Sequence, residues 1–196
     1  MTDLNTSRFA SRADHFREFH RLSLSRYHSY SELYADYLKP AMRLFDMPTG
    51  IVSRIRGDQY TILAIEPGTT GLITGDTLPL GETYCSVVVS KDSTMAVTHA
   101  AEDVAFYGHP AYRQMQLEAY LATPIHVNGG IHGTLNFTAP EVREHPFDDI
   151  DIELIELMAG RIGQVIEQHQ VDRDGCVTTS GCLRVRSNMP RSGWLW

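Results

Sequence analysis

The side chains with the greatest chemical potential stand next to one another at Thr83, Tyr84 and Cys85. If Cys85 lies in the first turn of a short helix, the helix dipole lowers the pKa of its thiol and favours the thiolate, which suits redox chemistry or covalent attachment of a ligand. Thr83 would then cap that helix or contact an anion at its N-terminus. The alternative is that Cys85 is buried and packs as a small apolar residue.

Three further side chains have the chemistry of a small-molecule pocket, which needs an aromatic wall and a few hydrogen-bonding groups. His99 follows an apolar run at 94–98 that favours a strand, so we expect its side chain at a pocket rim. The predicted ligand site consists of Thr83, Tyr84, Cys85, His99, Tyr120 and Asn136. The alternative is that the tyrosines are core residues with satisfied hydroxyl groups and that Asn136 is a structural polar group on a sheet.

The sequence offers neither a recognisable metal site nor a catalytic site. Its nine histidines lack the spacing of zinc ligands, and the intervals between His169, Cys176 and Cys182 match no common zinc module. We can identify no nucleophile–base pair, acid pair or phosphate-binding loop, so we predict a binding module with no catalytic residues and no metal.

The composition limits the partners and the compartment. A formal net charge of −7, from 24 acidic and 17 basic residues, provides no basic surface for nucleic acid. No apolar stretch approaches the roughly 20 residues that span a bilayer, and the polar N-terminus does not resemble a secretory signal. Three cysteines, an odd number, fit a reducing compartment. We therefore expect a cytoplasmic protein that binds neither nucleic acid nor membranes.

Hydrophobic periodicity predicts an α+β domain, in the order helix, hairpin, long loop, strand, helix, hairpin, helix. The first helix covers 31–45, where Pro40 should kink or divide it, and a second helix opens at Pro110 and ends before Pro124. Asn128-Gly129 predicts a type I′ hairpin turn, and Asp148 is expected to cap the final helix.

Three regions follow from these patterns. They are an N-terminal helical extension at 1–30, a domain at 31–169 and a disordered tail at 170–196, which is rich in Gly, Ser, Thr and Arg. Two hairpin strands are expected at 51–56 and 60–65, followed by a surface loop at 67–81. The β-branched segment at 84–90 favours a strand by propensity alone.

Four stretches, in this order and spacing, resemble a GAF domain. They are residues 44–55 (LFDMPTGIVSRI), 81–85 (GETYC), 117–120 (LEAY) and 133–137 (GTLNF). The likeness covers about residues 31 to 169 and is greatest to GAF modules of bacterial and cyanobacterial sensor histidine kinases and diguanylate cyclases. It implies a six-stranded antiparallel sheet, with the terminal helices on one face and a ligand pocket on the other. It also implies a short helix at 84–90, against the propensity of that segment.

The resemblance implies a sensory role in bacterial signal transduction, including two-component systems. A small-molecule ligand is expected, but its identity stays open. Covalent bilin is not expected, because Cys85 is followed by Ser86 where bilin-binding GAF domains have histidine. We expect a homodimer through the terminal helices, with Leu157, Met158, Ile162 and Val165 in the interface, and a histidine kinase or cyclase as output partner. The alternatives are a redox-responsive module using Cys85 and a purely structural dimerisation module.

Overall fold

The computed structural model describes residues 16–17, 19–67 and 71–182, and gives residues 172–182 as helix backbone. Residues 19–24 are helical. The rest of the predicted N-terminal extension, residues 1–15 and 18, and the end of the predicted tail, residues 183–196, lie outside the described residues. The domain bounds at 30, 31, 169 and 170 therefore stay predictions.

The first long helix, α1 (Tyr30–Phe45), forms where apolar residues recur at helical spacing. The hydroxyl of Ser29 accepts the Glu32 amide and caps its N-terminus. Pro40 lies inside the helix. Of the two outcomes predicted for it, a kink or a division, the division does not occur. Asp36, whose carbonyl loses its intrahelical donor to Pro40, is exposed, so water can replace the missing bond.

Six antiparallel strands form one open sheet, as the family resemblance implies. The strands are β1 (Thr49–Arg56), β2 (Gln59–Glu66), β3 (Thr77–Pro79), β4 (Met95–Val97), β5 (Ala119–Val127) and β6 (Gly130–Ala139). Their order across the sheet is β3-β2-β1-β6-β5-β4, and every neighbouring pair is antiparallel. The two strands at the centre, β1 and β6, therefore come from opposite ends of the domain and are joined only by long-range pairing.

The β5–β6 hairpin has the turn that its sequence predicts. Asn128 and Gly129 both adopt positive φ angles, 52° and 77°, which is the type I′ requirement. Val127 pairs with Gly130 directly across the turn. The hairpin predicted at 51–65 is also present, as β1 and β2.

Two predictions about the middle of the chain are wrong. The helix opening at Pro110 ends at Met115, where Gln116 turns left-handed, and Tyr120 and Pro124 lie in β5 instead. Pro124 is tolerated there because β4 pairs with β5 only from Tyr120 to Ala122, which leaves the strand without that neighbour further along. The expected loop at 67–81 contains β3, whose pairing with β2 its composition did not indicate.

Two short helices, α2 (Cys85–Lys91) and α3 (Pro110–Met115), lie on the sheet face opposite α1. The helix α2 replaces the strand that β-branched propensity favours, as the resemblance implies, because burial of Cys85 and Val88 against the sheet overrides local preference. The second short apolar run, predicted as a strand, is β4.

The last helix, α4 (Asp149–Cys182), begins as predicted, with the Asp148 carboxylate accepting the amides of Ile150 and Asp151. It continues to Cys182, beyond the predicted domain boundary at residue 169, because extending a formed helix costs little per residue. The predicted dimer row is also largely wrong, because Met158, Ile162 and Val165 are buried within the chain and only Leu157 is exposed.

The sheet separates two apolar cores. The larger core packs α1 and α4 against one face, and the smaller one packs α2 and α3 against the other. Strand β6 shows the division that its alternation predicts, with Leu135 and Phe137 in the larger core and Thr134 and Asn136 directed to the opposite face. None of the helices in the described ranges combines the length and apolar character that crossing a bilayer requires.

Candidate functional site

A buried polar cluster lies between α2 and the sheet, centred on the Cys85 thiol. Cys85 is the first residue of α2, and its Sγ lies 3.2 Å from the hydroxyl of Tyr120 on β5. The Thr134 hydroxyl, on β6, donates to the same sulfur at 3.1 Å. The amide nitrogen of Asn136, two residues further along the same face, lies 3.6 Å from it. The thiol is therefore surrounded by hydrogen-bonding groups although it is buried.

The cluster extends across the sheet to β1 and β2. The Asn136 side chain donates to the hydroxyl of Tyr60 on β2 at 3.2 Å. Ser53 on β1 lies 2.8 Å from the Thr134 hydroxyl and accepts the Thr134 amide at 3.1 Å. Strands β1, β2, β5 and β6 thus each contribute a polar side chain to one connected and completely buried network.

Every titratable group of the cluster is held in its neutral form. Burial raises the pKa of the Cys85 thiol, and the hydrogen bonds from Thr134 and Tyr120 only partly oppose that shift. Burial also raises the pKa of Tyr60 and of Tyr120 well above the ordinary tyrosine value. The lowered thiol pKa that a helix N-terminus would provide is not found, because desolvation of Cys85 outweighs the dipole of a seven-residue helix.

A small cavity of about 40 Å³ adjoins the cluster, on the side of α2 and α3. Tyr60, Cys85, Tyr120 and Asn136 form its polar wall. Its apolar wall consists of Ile51, Leu72, Leu78, Met115 and Leu117. A volume of this size accommodates roughly one water molecule, so a larger ligand requires the covering helices and loops to move.

Five of the six predicted site residues meet at this cavity. Thr83, Tyr84, Cys85, Tyr120 and Asn136 all line it. Two of them already use their hydroxyl groups on the backbone, because Thr83 donates to the Leu80 carbonyl at 2.9 Å and Tyr84 donates to the Leu117 carbonyl at 3.0 Å. Thr83 therefore does not cap α2 with its side chain, and Tyr84 matches the alternative of a core tyrosine with a satisfied hydroxyl group.

His99 is absent from the cavity lining and belongs to a separate surface cluster. Its two ring nitrogens lie 3.4 Å from Glu102 and 3.8 Å from Glu118. Glu118 also accepts the Tyr112 hydroxyl at 2.7 Å. The predicted strand before His99 is real but ends at Val97, and the following turn directs the chain toward these carboxylates.

Sequence reasoning missed Ser53, Tyr60 and Thr134, which complete the polar network. The alternation along β6 could have identified Thr134, because it lies two residues before Asn136 and therefore on the same polar face of the strand. Tyr60 is the second residue of β2, and the apolar pattern of that strand does not distinguish a core tyrosine from one that contacts Asn136. Long-range pairing of β1 with β6 brings the two together.

One serine–histidine pair also escaped sequence reasoning, at Ser86 and His109. Ser86 Oγ lies 3.0 Å from His109 Nε2. His109 Nδ1 accepts the Ala111 amide at 3.2 Å, as the N-cap of α3. A neutral imidazole that accepts through Nδ1 carries its proton on Nε2, so it cannot take the serine proton. Ser86 in turn donates to the Thr83 carbonyl, and the pair joins α2 to α3 rather than forming a nucleophile.

The described residues contain no cluster of three or more histidine, cysteine or carboxylate side chains suited to a metal ion. Cys176 and Cys182, whose spacing matched no zinc module in the sequence, lie in the part of α4 for which the structure describes only the helix backbone.

Comparison with known proteins gives one family. Residues 28–167 match the family model described as GAF domain. Similar solved structures include the phycocyanobilin-bound GAF domain of a cyanobacterial phytochrome, 12% identical, with a TM-score of 0.59 and 83% of this chain and 96% of that chain covered. No curated protein matches the chain significantly.

Two further structures are similar. The GAF domain of an Acinetobacter phosphoenolpyruvate-protein phosphotransferase is 11% identical, with a TM-score of 0.62, and the alignment covers 87% of this chain and 97% of that one. A GAF domain/HD domain protein from Geobacter sulfurreducens is 14% identical, with a TM-score of 0.57 and 71% and 93% of the two chains covered. At these identities the likeness establishes the fold.

Proposed function

The chain belongs to the GAF domain family, and from this premise we propose that it is a small-molecule-sensing regulatory module of bacterial signal transduction in the cytoplasm. GAF domains are typically sensory and generally regulatory rather than catalytic. The observation that carries the proposal is the buried network of Tyr60, Cys85, Tyr120 and Asn136 beside a cavity. Burying polar groups costs free energy unless they are hydrogen-bonded. A core that served packing alone would avoid this cost with apolar residues at these positions.

The proposed signal passes through the sheet. A ligand that binds one arrangement of α2 and α3 better than another shifts the equilibrium between them. Strand β6 contacts both cores, since Asn136 faces the cavity while Leu135 and Phe137 pack under α1 and α4. Movement of β6 is therefore the shortest route from an occupied cavity to the terminal helices.

The output belongs to a partner or to a further domain. The similar Geobacter structure is a GAF domain/HD domain protein, and the other two GAF domains come from a cyanobacterial phytochrome and a phosphoenolpyruvate-protein phosphotransferase. We propose a histidine kinase or cyclase as output partner. We also propose a homodimer through α1 and α4, in which exposed Leu157 takes part while its buried neighbours serve the core.

The two alternative functions have less support. A redox-responsive module needs an accessible thiolate, whereas Cys85 is 3% exposed and its pKa is raised by burial. A purely structural dimerisation module needs no polar network in its second core. A stand-alone enzyme is also not favoured, because the Ser86–His109 pair lacks the proton arrangement of a nucleophile and its base.

Native mass spectrometry of gently purified protein tests the proposal directly, when the intact mass is compared with the mass after denaturation. We expect a mass that is released on denaturation, and its loss in Asn136→Leu, which removes the amide from the cavity wall. Gln114→Leu is the matched control, because Gln114 is exposed on α3 and the same change there should leave the bound mass unaltered. Bound mass that survives Asn136→Leu, or a fully apo protein that no small molecule stabilises, contradicts the proposal.

A further inference from the structure

The cavity beside Cys85 is lined entirely by uncharged side chains. Among the described residues, twelve line it, and none is Asp, Glu, Lys, Arg or His. Five are aliphatic or Met, three are tyrosines, and the other four are Thr83, Cys85, Asn136 and Thr138. The wall therefore offers hydrogen bonds and apolar contact but no group that could neutralise an ionised ligand.

The groups just behind the wall do not provide a cation either. His109 packs edge-on against Tyr84 with ring centroids 5.4 Å apart, and burial lowers its pKa, so it stays neutral. The acid that acts electrostatically on Tyr84 is Glu118, a carboxylate that would repel an anion. An ionised group that leaves water for such a site loses its hydration and finds no opposite charge on the wall, so its burial is unfavourable.

We infer that the ligand of this module is a compact uncharged molecule with an apolar body and one or two hydrogen-bonding atoms. This inference rests on the proposed function and narrows it. It excludes anionic ligands such as phosphate esters, carboxylates and tetrapyrrole propionates from the cavity, and it excludes zwitterionic amino acids. The hydrogen-bonding atoms of the ligand would meet the hydroxyl and amide groups of Tyr120 and Asn136.

The shape of the cavity restricts how such a molecule enters. At about 40 Å³ the cavity is too small for such a molecule unless the residues that cover it move. Leu72, Leu78 and Met115 are its partly exposed lining residues, whereas Tyr60, Cys85 and Tyr120 are buried. An unbranched methionine side chain changes rotamer more easily than a branched one. Entry past Met115 and the two leucines therefore brings the ligand first against apolar surface, which again favours a neutral molecule.

Two sets of small compounds, each with a shared apolar body and a neutral, an anionic and a cationic member, test the inference. The aromatic set is p-cresol, 4-hydroxybenzoate and tyramine, and the aliphatic set is butyramide, butyrate and butylamine. Binding of each to the full chain is measured by isothermal titration calorimetry at neutral pH. We expect the neutral member of at least one set to bind at least tenfold more tightly than its anionic and cationic counterparts. Equal or tighter binding of a charged member overturns the inference, and so does the absence of binding by both neutral members.

Two variants locate the binding. Asn136→Leu should weaken binding of the neutral compound at least tenfold, with Gln114→Leu unchanged. Because Asn136→Leu also removes a partner of Tyr60, Tyr120→Phe is the milder second variant, with Tyr107→Phe as its control on an exposed tyrosine. If neither cavity variant weakens binding, the compound binds elsewhere and the inference is wrong.

Failure of the inference can be separated from failure of the proposed function by the co-purified mass. A released molecule that carries a phosphate or carboxylate and is lost in Asn136→Leu would overturn the uncharged class while supporting a sensory pocket. If no compound binds in a way that depends on Asn136 or Tyr120, and no mass is released, both proposals fail.

Discussion

Alanine substitutions at two glycines of α4 should change stability in opposite directions. Gly160 and Gly163 are three residues apart in the same helix. A Cβ at Gly160 would meet nothing within 4 Å, whereas a Cβ at Gly163 would overlap the backbone carbonyl oxygen of His126 on β5. The absence of a side chain at Gly163 therefore allows α4 to lie directly on β5. Alanine at Gly160 serves as the control for alanine at Gly163.

The expected magnitudes follow from helix propensity and packing. Alanine in a helix interior is favoured over glycine by about 0.5–1 kcal/mol, so Gly160→Ala should stabilise the fold by that amount. Gly163→Ala gains the same propensity but must push α4 away from rigid backbone, and overpacking of this kind costs about 1–3 kcal/mol. The contact is with a carbonyl next to the β5 irregularity at Ile125/His126 rather than with a flexible side chain, so we take the upper end. Net destabilisation of about 2 kcal/mol results.

Urea denaturation followed by far-ultraviolet circular dichroism measures both free energies of unfolding. The two variants should differ by about 3 kcal/mol, and in a chain of this length each kcal/mol moves Tm by about 2–4 °C. Gly160→Ala should melt above the parent protein and Gly163→Ala below it. If Gly163→Ala is as stable as Gly160→Ala, then α4 does not sit against β5 as described, and the larger core is packed differently.

Three further predictions concern a cap, a histidine and the buried thiol. Asp148→Ala should destabilise the protein by about 1 kcal/mol in the same denaturation assay, because α4 loses its N-cap, and Glu153→Ala on the exposed side of the first turns should be nearly neutral. Burial lowers the pKa of His109 below its ordinary value of 6.5, so the native state binds fewer protons than the unfolded chain. The stability that neutral His109 contributes is therefore fully present above about pH 6.5 and is lost as the pH falls through the folded pKa. His109→Asn, which keeps a capping oxygen, should flatten the fall in Tm between pH 7 and pH 5, and an unchanged slope would contradict this assignment. In protein whose two other cysteines are replaced by serine, Cys85 should react with iodoacetamide at neutral pH only after unfolding, and rapid alkylation of the native chain would revive the redox alternative.

Local sequence patterns predicted the structure correctly where a short stretch of sequence determines its own geometry. The Asn128-Gly129 turn needs two positive φ angles, which few other residue pairs adopt easily. The alternation along β6 separated Asn136 from Leu135 and Phe137 correctly, because the sheet places successive side chains on opposite faces. Five of the six predicted site residues reached the cavity for similar reasons, or through the family resemblance.

Local patterns failed where a distant partner decides the outcome. Tyr120 follows a helix-like run, and only pairing of β5 with both β4 and β6 makes it a strand residue. The segment that contains β3 is rich in glycine and proline and becomes a strand only because β2 offers it an edge. His99 was assigned to the pocket on the direction of the strand before it, but that strand ends at Val97 and the chain then turns away. Helix α2 shows the reverse case, in which tertiary burial overrides a β-branched composition.

The lengths of the two outermost strands restrict how copies of this domain can associate. Both edges of the sheet are strands of three residues, β3 and β4, and β3 ends in a proline that has no amide hydrogen to donate. A strand added from another chain along β3 or β4 would find a ladder of only three residues, so edge stacking on these two strands is disfavoured. Each of these two short strands thereby blunts one edge of a wide antiparallel sheet against pairing with a further chain.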